Sequence, residues 1–194
     1  MKKSLAIIFL LSIFMLATCK RAENYNATTT ATATATTGTT ATMSTLAVSD
    51  KDKDFVTNAG KGGMAEVELA RDGTTHATNA NVKSFAQKMV DDHTKANHEL
   101  TQLASSKGVT MPSEMKGTAK ELKVRLMKLT GKSYDQAFIK QMVDDHTRVV
   151  ADFEKETTEA TDADLKKWVE NTLPTLRDHL RMAKDLNTKL SKSK

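Results

Sequence analysis

From Asp50 to the carboxyl terminus, apolar residues recur every three or four positions, and this spacing constrains the fold more than any other feature of the sequence. Residues three and four apart share one face of an α-helix, so each such run predicts a helix with an apolar stripe. The pattern predicts four long helices, which begin near residues 51, 79, 133 and 163, and a short helix over residues 113–129.

The connection between the second and third long helices decides the predicted topology. Residues 108–132 form this connection, and their number is large enough to cross the length of a helical bundle instead of turning tightly. Aromatic residues make up only 5% of the chain, which also favours helices over strands. The sequence therefore predicts an all-α fold, a ferritin-like four-helix bundle with a short extra crossover helix between helices 2 and 3.

The first 18 residues have the parts of an export signal. Lys2 and Lys3 precede an apolar run over residues 5–17, which is too short for a membrane-spanning helix of ~20 residues. The run ends in Leu16-Ala17-Thr18-Cys19, which resembles the lipobox of bacterial lipoproteins, although threonine replaces the usual Gly, Ala or Ser before the cysteine. We expect residues 1–18 to be removed and Cys19 to be lipidated. The protein would then be anchored in the bacterial cell envelope, in the outer membrane or facing the periplasm.

The segment after Cys19 has the composition of a flexible tether. Of the sixteen residues 27–42, fifteen are Thr or Ala, and such a run has no amphipathic period that could build a core. We therefore expect residues 19–49 to form the lipidated cysteine and a disordered tether, and residues 50–192 to form the helical domain.

Charge and cysteine content exclude several classes of function. The net charge is +5, and loss of Lys2 and Lys3 would leave +3, spread among alternating acidic and basic residues without a basic block. That pattern argues against nucleic-acid binding. A single cysteine cannot form a disulfide within the chain. The expected partner is a membrane, through the lipid anchor, and no protein partner can be identified from the residues.

A short internal repeat places two histidines at equivalent positions. The segment FAQKMVDDHT around His93 recurs as FIKQMVDDHT around His146. At 100° per residue each histidine falls within the apolar face of its predicted helix, and the preceding aspartate, Asp92 or Asp145, lies on the flank of that face. His76 and His98 fall off the stripes and are expected at the surface.

The other two long helices also place an ionisable residue on or beside the apolar face. Glu66 lies in the stripe of the first helix, and His179 flanks the stripe of the fourth. A buried carboxyl group needs a partner, so these side chains are expected to meet inside the bundle. Imidazole and carboxylate groups are ligands for transition metals. The candidate metal ligands, or members of a buried polar network, are Glu66, His93, His146, His179, Asp92 and Asp145.

The residues leave more than one function open. Di-iron bundles carry Glu-x-x-His on two helices, and Val90, Val143 and Leu176 occupy the position three before each histidine. Mixed ligation of copper by histidine and nearby methionine (Met89, Met142 and Met182) is an alternative. Without a catalytic motif, we expect a non-catalytic binding or structural module of unknown ligand. The alternative is a periplasmic metal-handling protein for iron, manganese or copper.

Four segments together resemble a known family of unknown function. GGMAEVELA (62–70), FAQKMVDDH (85–93), DDH (144–146) and LPTLRDHL (173–180) are similar to the bacterial DUF4142 family, often described as outer membrane proteins. The resemblance extends over about residues 50–192 of the chain. It implies a ferritin-like bundle in the cell envelope and no established activity.

Overall fold

The structure is a computed structural model that describes residues 48–192. These residues form five α-helices and no strand. The helices are α1 (Asp50–His76), α2 (Ala80–Ser106), α3 (Thr118–Leu126), α4 (Gly131–Glu159) and α5 (Ala163–Lys192). The predicted leader, Cys19 and the predicted tether up to residue 47 lie outside the described residues. No helix within residues 48–192 is both long and apolar enough to cross a membrane.

The long helices pack as two hairpins. α1 packs on α2 and α4 packs on α5, each pair joined by a short loop, and α2 and α5 hold the hairpins together. Between the hairpins the chain crosses the length of the bundle, and α3 lies on this crossover against α1 and α4. The predicted all-α, ferritin-like bundle with a short crossover helix is therefore confirmed.

A buried aspartate fastens each end of the bundle. At one end, Asp52 of α1 accepts hydrogen bonds from the N–H and hydroxyl groups of Thr161 and from the N–H of Asp162, in the loop between α4 and α5. Burial raises the pKa of Asp52, but these hydrogen bonds lower it by more, so its pKa lies below the usual value. The carboxylate thus joins the start of α1 to the loop of the other hairpin.

The opposite end repeats this arrangement with different residues. Asp135 of α4 accepts hydrogen bonds from the N–H and hydroxyl groups of Thr78 and from the N–H of Asn79, in the loop between α1 and α2. Asp135 follows Asp52 by 83 positions, and Thr161 follows Thr78 by the same 83 positions. The two hairpins therefore use equivalent contacts, each fastening the loop of the other.

Some predicted boundaries were wrong. The short helix covers Thr118–Leu126 instead of residues 113–129, because Gly117, with φ of 59°, interrupts the chain just before it. The third long helix begins at Gly131 and not at Ser133, since the carbonyl of Thr130 already accepts the first helical hydrogen bond, from the N–H of Tyr134.

Glycines in α1 allow neighbouring elements to approach. A β-carbon at Gly73 would lie 2.9 Å from the β-carbon of Ala86 and 3.0 Å from the ring of Phe138, so α1, α2 and α4 meet closely there. A β-carbon at Gly62 would contact nothing within 4 Å. α1 remains helical through all of its glycines, and the close packing at Gly73 explains why the smallest residue stands there.

This contrast predicts opposite effects for two alanine substitutions. Gly62→Ala should raise the free energy of unfolding by about 1 kcal/mol, because alanine loses less backbone entropy in a helix and meets no obstacle. Gly73→Ala should lower it by about 1–3 kcal/mol through overpacking. Urea unfolding followed by circular dichroism measures both, and an equal response of the two variants would contradict the packing described here.

Candidate metal centre

The core contains a polar layer at mid-height. One apolar cluster lies on one side of the layer and includes Phe85, Met89, Phe138 and Met142, while a second cluster on the other side includes Leu100, Val150, Leu173 and Leu176. Along α2, α4 and α5 the residue between the two clusters is a histidine: His93, His146 and His179. The polar layer thus interrupts a core that is otherwise apolar.

The three histidines come together in this layer. Their ring centroids lie 5.2 to 5.6 Å apart, and one ring nitrogen from each lies within 4.8 Å of the other two. His146 and His179 are fully buried, and His93 is 6% exposed. His179, which the sequence places only on the flank of its helix, faces inward as completely as the others.

Two of the three rings each form a hydrogen bond through one of their nitrogens. Nδ1 of His146 lies 3.0 Å from the carbonyl oxygen of Met142, and Nε2 of His179 lies 2.7 Å from Oδ2 of Asp92. Both oxygens accept, so these nitrogens carry the protons of the neutral rings and donate them. Each ring is thereby left with a lone pair on its other nitrogen.

The remaining nitrogens have no protein partner. Nε2 of His93, Nε2 of His146 and Nδ1 of His179 are buried without a hydrogen bond among the described residues, as is Oε2 of Glu66. Leaving a buried polar atom unpaired costs on the order of 1–3 kcal/mol. Four of the eight such atoms among the described residues lie in this one layer, so the layer is where the bundle concentrates its unpaired polar groups.

Burial keeps the histidines neutral. It lowers the pKa of His93 to about 3 and that of His146 to about 4, and the neighbouring imidazoles add to the effect. Burial also lowers the pKa of His179, although Asp92 opposes that shift. At neutral pH all three rings therefore have the uncharged form in which imidazole binds metals.

Glu66 reaches this layer from α1. Its Oε1 lies 3.9 Å from Nδ1 of His146, which is beyond hydrogen-bonding distance. Burial, with a smaller contribution from the charge of Asp145, raises the pKa of Glu66 to about 8. The carboxyl group of Glu66 is therefore mostly protonated at neutral pH, and it lies outside the group of three ring nitrogens that are close enough to hold one ion.

The two aspartates of the repeat have different environments. Asp92 accepts from His179 and, at 2.8 Å, from Nζ of Lys88. Burial alone would raise the pKa of Asp92, but these two contacts lower it by more. Its pKa is therefore below the usual value, and the carboxyl group is charged at neutral pH. Asp145 instead pairs with Arg148 and Gln141 on its own helix. Asp92 is therefore placed to orient a histidine, whereas Asp145 makes no hydrogen bond to any of the three histidines among the described residues.

A cleft leads from the surface to the site. It has a volume of about 1140 Å³, and its lining comes from all four long helices and the crossover and includes Glu66 and His93. The cleft exists because α1 and α4 contact each other much less than the helices within each hairpin do. Apolar periodicity does not indicate this opening, since it marks the inward faces of helices and not the spacing between them.

The donor set fits a single ion and not a di-iron centre. A di-iron centre in a bundle takes a glutamate from each of two helices and Glu-x-x-His from each of the other two. Among the described residues, the carboxyl groups next to the three imidazoles are those of Glu66, which is buried, and Asp92, which is already hydrogen-bonded to His179. Three nitrogens around zinc at ~2.0–2.1 Å would lie about 3.3 Å apart. The three ring nitrogens here lie within 4.8 Å of one another, which is wider than that spacing.

The three methionines that the sequence offers as copper ligands pack in or against the apolar core. Met89 and Met142 lie fully buried, one helical turn from His93 and His146, in the apolar cluster that contains Phe85 and Phe138. Met182 is partly buried against the same cluster. Their packing is that of ordinary core residues.

Sequence reasoning named Asp92 as a candidate but missed Lys88, which pairs with this aspartate beside His179. Lys88 stands four positions before Asp92, a spacing at which opposite charges pair on a helix, and this signal was available in the sequence. The contact between His179 and Asp92 joins α5 to α2 and could not be found without the packing of the helices.

Comparisons with known proteins identify a family and a fold. The family described as Domain of unknown function (DUF4142) matches residues 37–186 of this chain. A crystal structure of a DUF305 fragment from Deinococcus radiodurans is similar, with a TM-score of 0.66 and 13% sequence identity, and the match covers 73% of this chain and 98% of that chain. At this identity the likeness shows a shared fold alone. No curated protein matches the sequence.

The raised pKa of Glu66 predicts that replacing this residue stabilises the protein by an amount that depends on pH. A pKa raised from 4.5 to about 8 means that the carboxyl group supports folding below pH 4.5 and that this support is lost as pH rises towards 8. As pH rises from 5 to 8 in metal-free protein, the free energy of unfolding of Glu66→Gln should therefore increase by about 1–3 kcal/mol relative to that of the wild type. Exposed Glu99→Gln is the control, and urea unfolding at both pH values is the measurement. Parallel behaviour of wild type and Glu66→Gln would contradict the burial of a neutral carboxyl group.

Proposed function

We propose that this chain, which belongs to the DUF4142 family, is a metal-binding helical module that holds one late first-row transition-metal ion between His93, His146 and His179. One observation carries the proposal. Three neutral imidazoles converge in the core, and each has a buried nitrogen without a hydrogen-bond partner among the described residues.

The surroundings of the histidines support metal binding. Metal-bound histidines usually donate their other ring N–H to a carboxylate or a backbone carbonyl, which fixes the ring and makes it more basic. His179 donates to Asp92 and His146 donates to Met142 in this way. Glu66 lies close to the rings but outside the group of three ring nitrogens, so its carboxyl group would ionise near a bound cation without being one of these three donors.

The donor atoms favour zinc or copper(II) over iron and manganese. Neutral imidazole suits late first-row ions, and affinity for a given nitrogen site rises towards copper(II). Manganese prefers carboxylate and carbonyl oxygens, and this site offers one carboxyl group. The cleft that reaches Glu66 and His93 gives the ion a path to the site.

A purely structural polar network is the competing function. Such a network fixes which helices pair by satisfying its own buried polar groups. The contact of Asp92 with His179 is of this kind, but three ring nitrogens and one carboxyl oxygen stay unpaired among the residues described here. Because unpaired groups destabilise a core, a structural role alone leaves them unexplained.

Metal content and affinity test the proposal. The protein, purified without a polyhistidine tag, should bind one zinc or copper(II) ion per chain in elemental analysis and titration calorimetry. His93→Ala should weaken binding at least about 100-fold, and Asp92→Asn by about 10–100-fold, because the aspartate only orients a ligand. His98→Ala, an exposed histidine on the same helix, is the matched control and should bind as the wild type does.

The outcomes separate the two functions. Saturating metal should also raise the melting temperature of the wild type and of His98→Ala, but not of His93→Ala, since a ligand of the folded state stabilises it. If no metal binds, while His93→Ala still causes a large fall in melting temperature, the histidines form a structural network and the metal proposal is wrong.

We further propose that the domain is held at the bacterial envelope by a lipid on Cys19. The basic start, the short apolar run and the single cysteine directly after it support this location. Two or more acyl chains give stable anchoring, whereas one chain gives only marginal binding.

Replacement of the cysteine tests the anchor. In cells that process lipoproteins, the wild type should fractionate with membranes, and globomycin should block its maturation and shift its mobility on a gel. Cys19→Ser should abolish this sensitivity. Maturation that is insensitive to globomycin, or labelling with a fatty acid that persists in Cys19→Ser, would show that Cys19 is not the lipidated residue.

A further inference from the structure

The crossover carries a concentration of positive charge that the overall composition hides. Residues 116–132 (KGTAKELKVRLMKLTGK) contain six lysines and arginines and one acidic residue. The prediction that the chain has no block of basic residues is therefore wrong for this segment. α3 lies in its middle, so this charge is carried by a helix and the turns that flank it.

The same helix and its C-cap residue carry exposed apolar side chains. Val124 is 51% exposed and Met127 is 38% exposed, and they are the large hydrophobic residues that stand in solvent within residues 48–192. They are three positions apart and so share one face of α3. Together with Met115 and three lysines they line a shallow depression of about 480 Å³. We call Met115, Lys120, Val124, Met127 and Lys128 the α3 patch.

Contacts on the inner side and one flank of α3 hold the patch outward. Leu126 is buried in the bundle core. Nζ of Lys123 lies 3.1 Å from Glu68 and 3.2 Å from Asp72, both on α1. α3 therefore cannot turn to bury Val124 and Met127 without breaking these contacts. Lys120 and Lys128, by contrast, are exposed and have no ion pair within the described part of the chain.

We propose that the α3 patch docks on an anionic phospholipid surface. Aliphatic side chains gain free energy when they enter the boundary between headgroups and acyl chains, and surrounding lysines gain from anionic headgroups. A patch that combines the two matches such a surface in charge and in polarity. Nucleic acid would attract the lysines, but it would leave Val124 and Met127 without a favourable contact, and the segment has no aromatic side chain to stack on bases. This proposal is independent of the histidine cluster.

Vesicle binding by a chain that lacks residues 1–47 tests this docking. That chain keeps all five helices and both core clusters, which lie within one compact unit, and it has no leader or acylated cysteine that could bind lipid. It should co-sediment with vesicles of phosphatidylcholine and 30% phosphatidylglycerol, and much less with phosphatidylcholine alone. Binding should weaken in 0.5 M NaCl, because salt screens the lysines.

Two variants separate the charge of the patch from its apolar part. The first variant is Lys120→Glu/Lys128→Glu, and the second is Val124→Ser/Met127→Ser. Each should weaken binding to anionic vesicles by at least about tenfold. Lys167→Glu/Lys184→Glu changes the same charge on exposed positions of α5 and should stay within about twofold of the wild type. Circular dichroism checks the fold, and zinc titration checks that the histidine site is unchanged.

Three results would overturn the proposal. The first is equal sedimentation with neutral and anionic vesicles, or with neither. The second is a loss in the α5 control as large as in the lysine variant, which would mean that net charge and not the patch drives binding. The third is tighter binding to duplex DNA or RNA than to vesicles with the same dependence on Lys120 and Lys128, which would assign the patch to nucleic acid.

Discussion

Three neutral imidazoles lie in the middle of an apolar core, and the account of this protein depends on that placement. Burial lowers the pKa of each ring, and hydrogen bonds to Asp92 and to the carbonyl of Met142 fix the protons of two of them. The bundle therefore presents lone pairs inward at a place where packing would otherwise favour leucine. A core that keeps such groups gives up stability, which is expected when the groups serve a ligand.

Much of the fold could be predicted because it follows from local spacing. Apolar residues at intervals of three and four identified the long helices, and the length of the crossover identified the topology. The same spacing of apolar residues placed three of the polar side chains inside the bundle, namely Glu66, His93 and His146. The boundaries near Gly117 and Gly131 were less predictable, since both glycines have positive φ and could either end a helix or precede one.

The remaining features depend on how the helices meet, which spacing does not encode. Asp52 and Asp135 look like ordinary first-turn acids, yet each crosses to the loop of the other hairpin. His179 lies on the edge of its stripe in the sequence and becomes fully buried only because α2 and α4 pack beside it. The cleft depends on the gap between α1 and α4. Each of these features is set by long-range packing, so no single helix reveals it.

The position of a bound ion tests the central claim most directly. Crystals grown with zinc, and measured on both sides of its absorption edge, should give one strong anomalous peak in the core. That peak should lie ~2.0–2.1 Å from a nitrogen of His93, His146 and His179. A map with no peak among these three rings, and zinc only at surface groups such as His98, would contradict the claim.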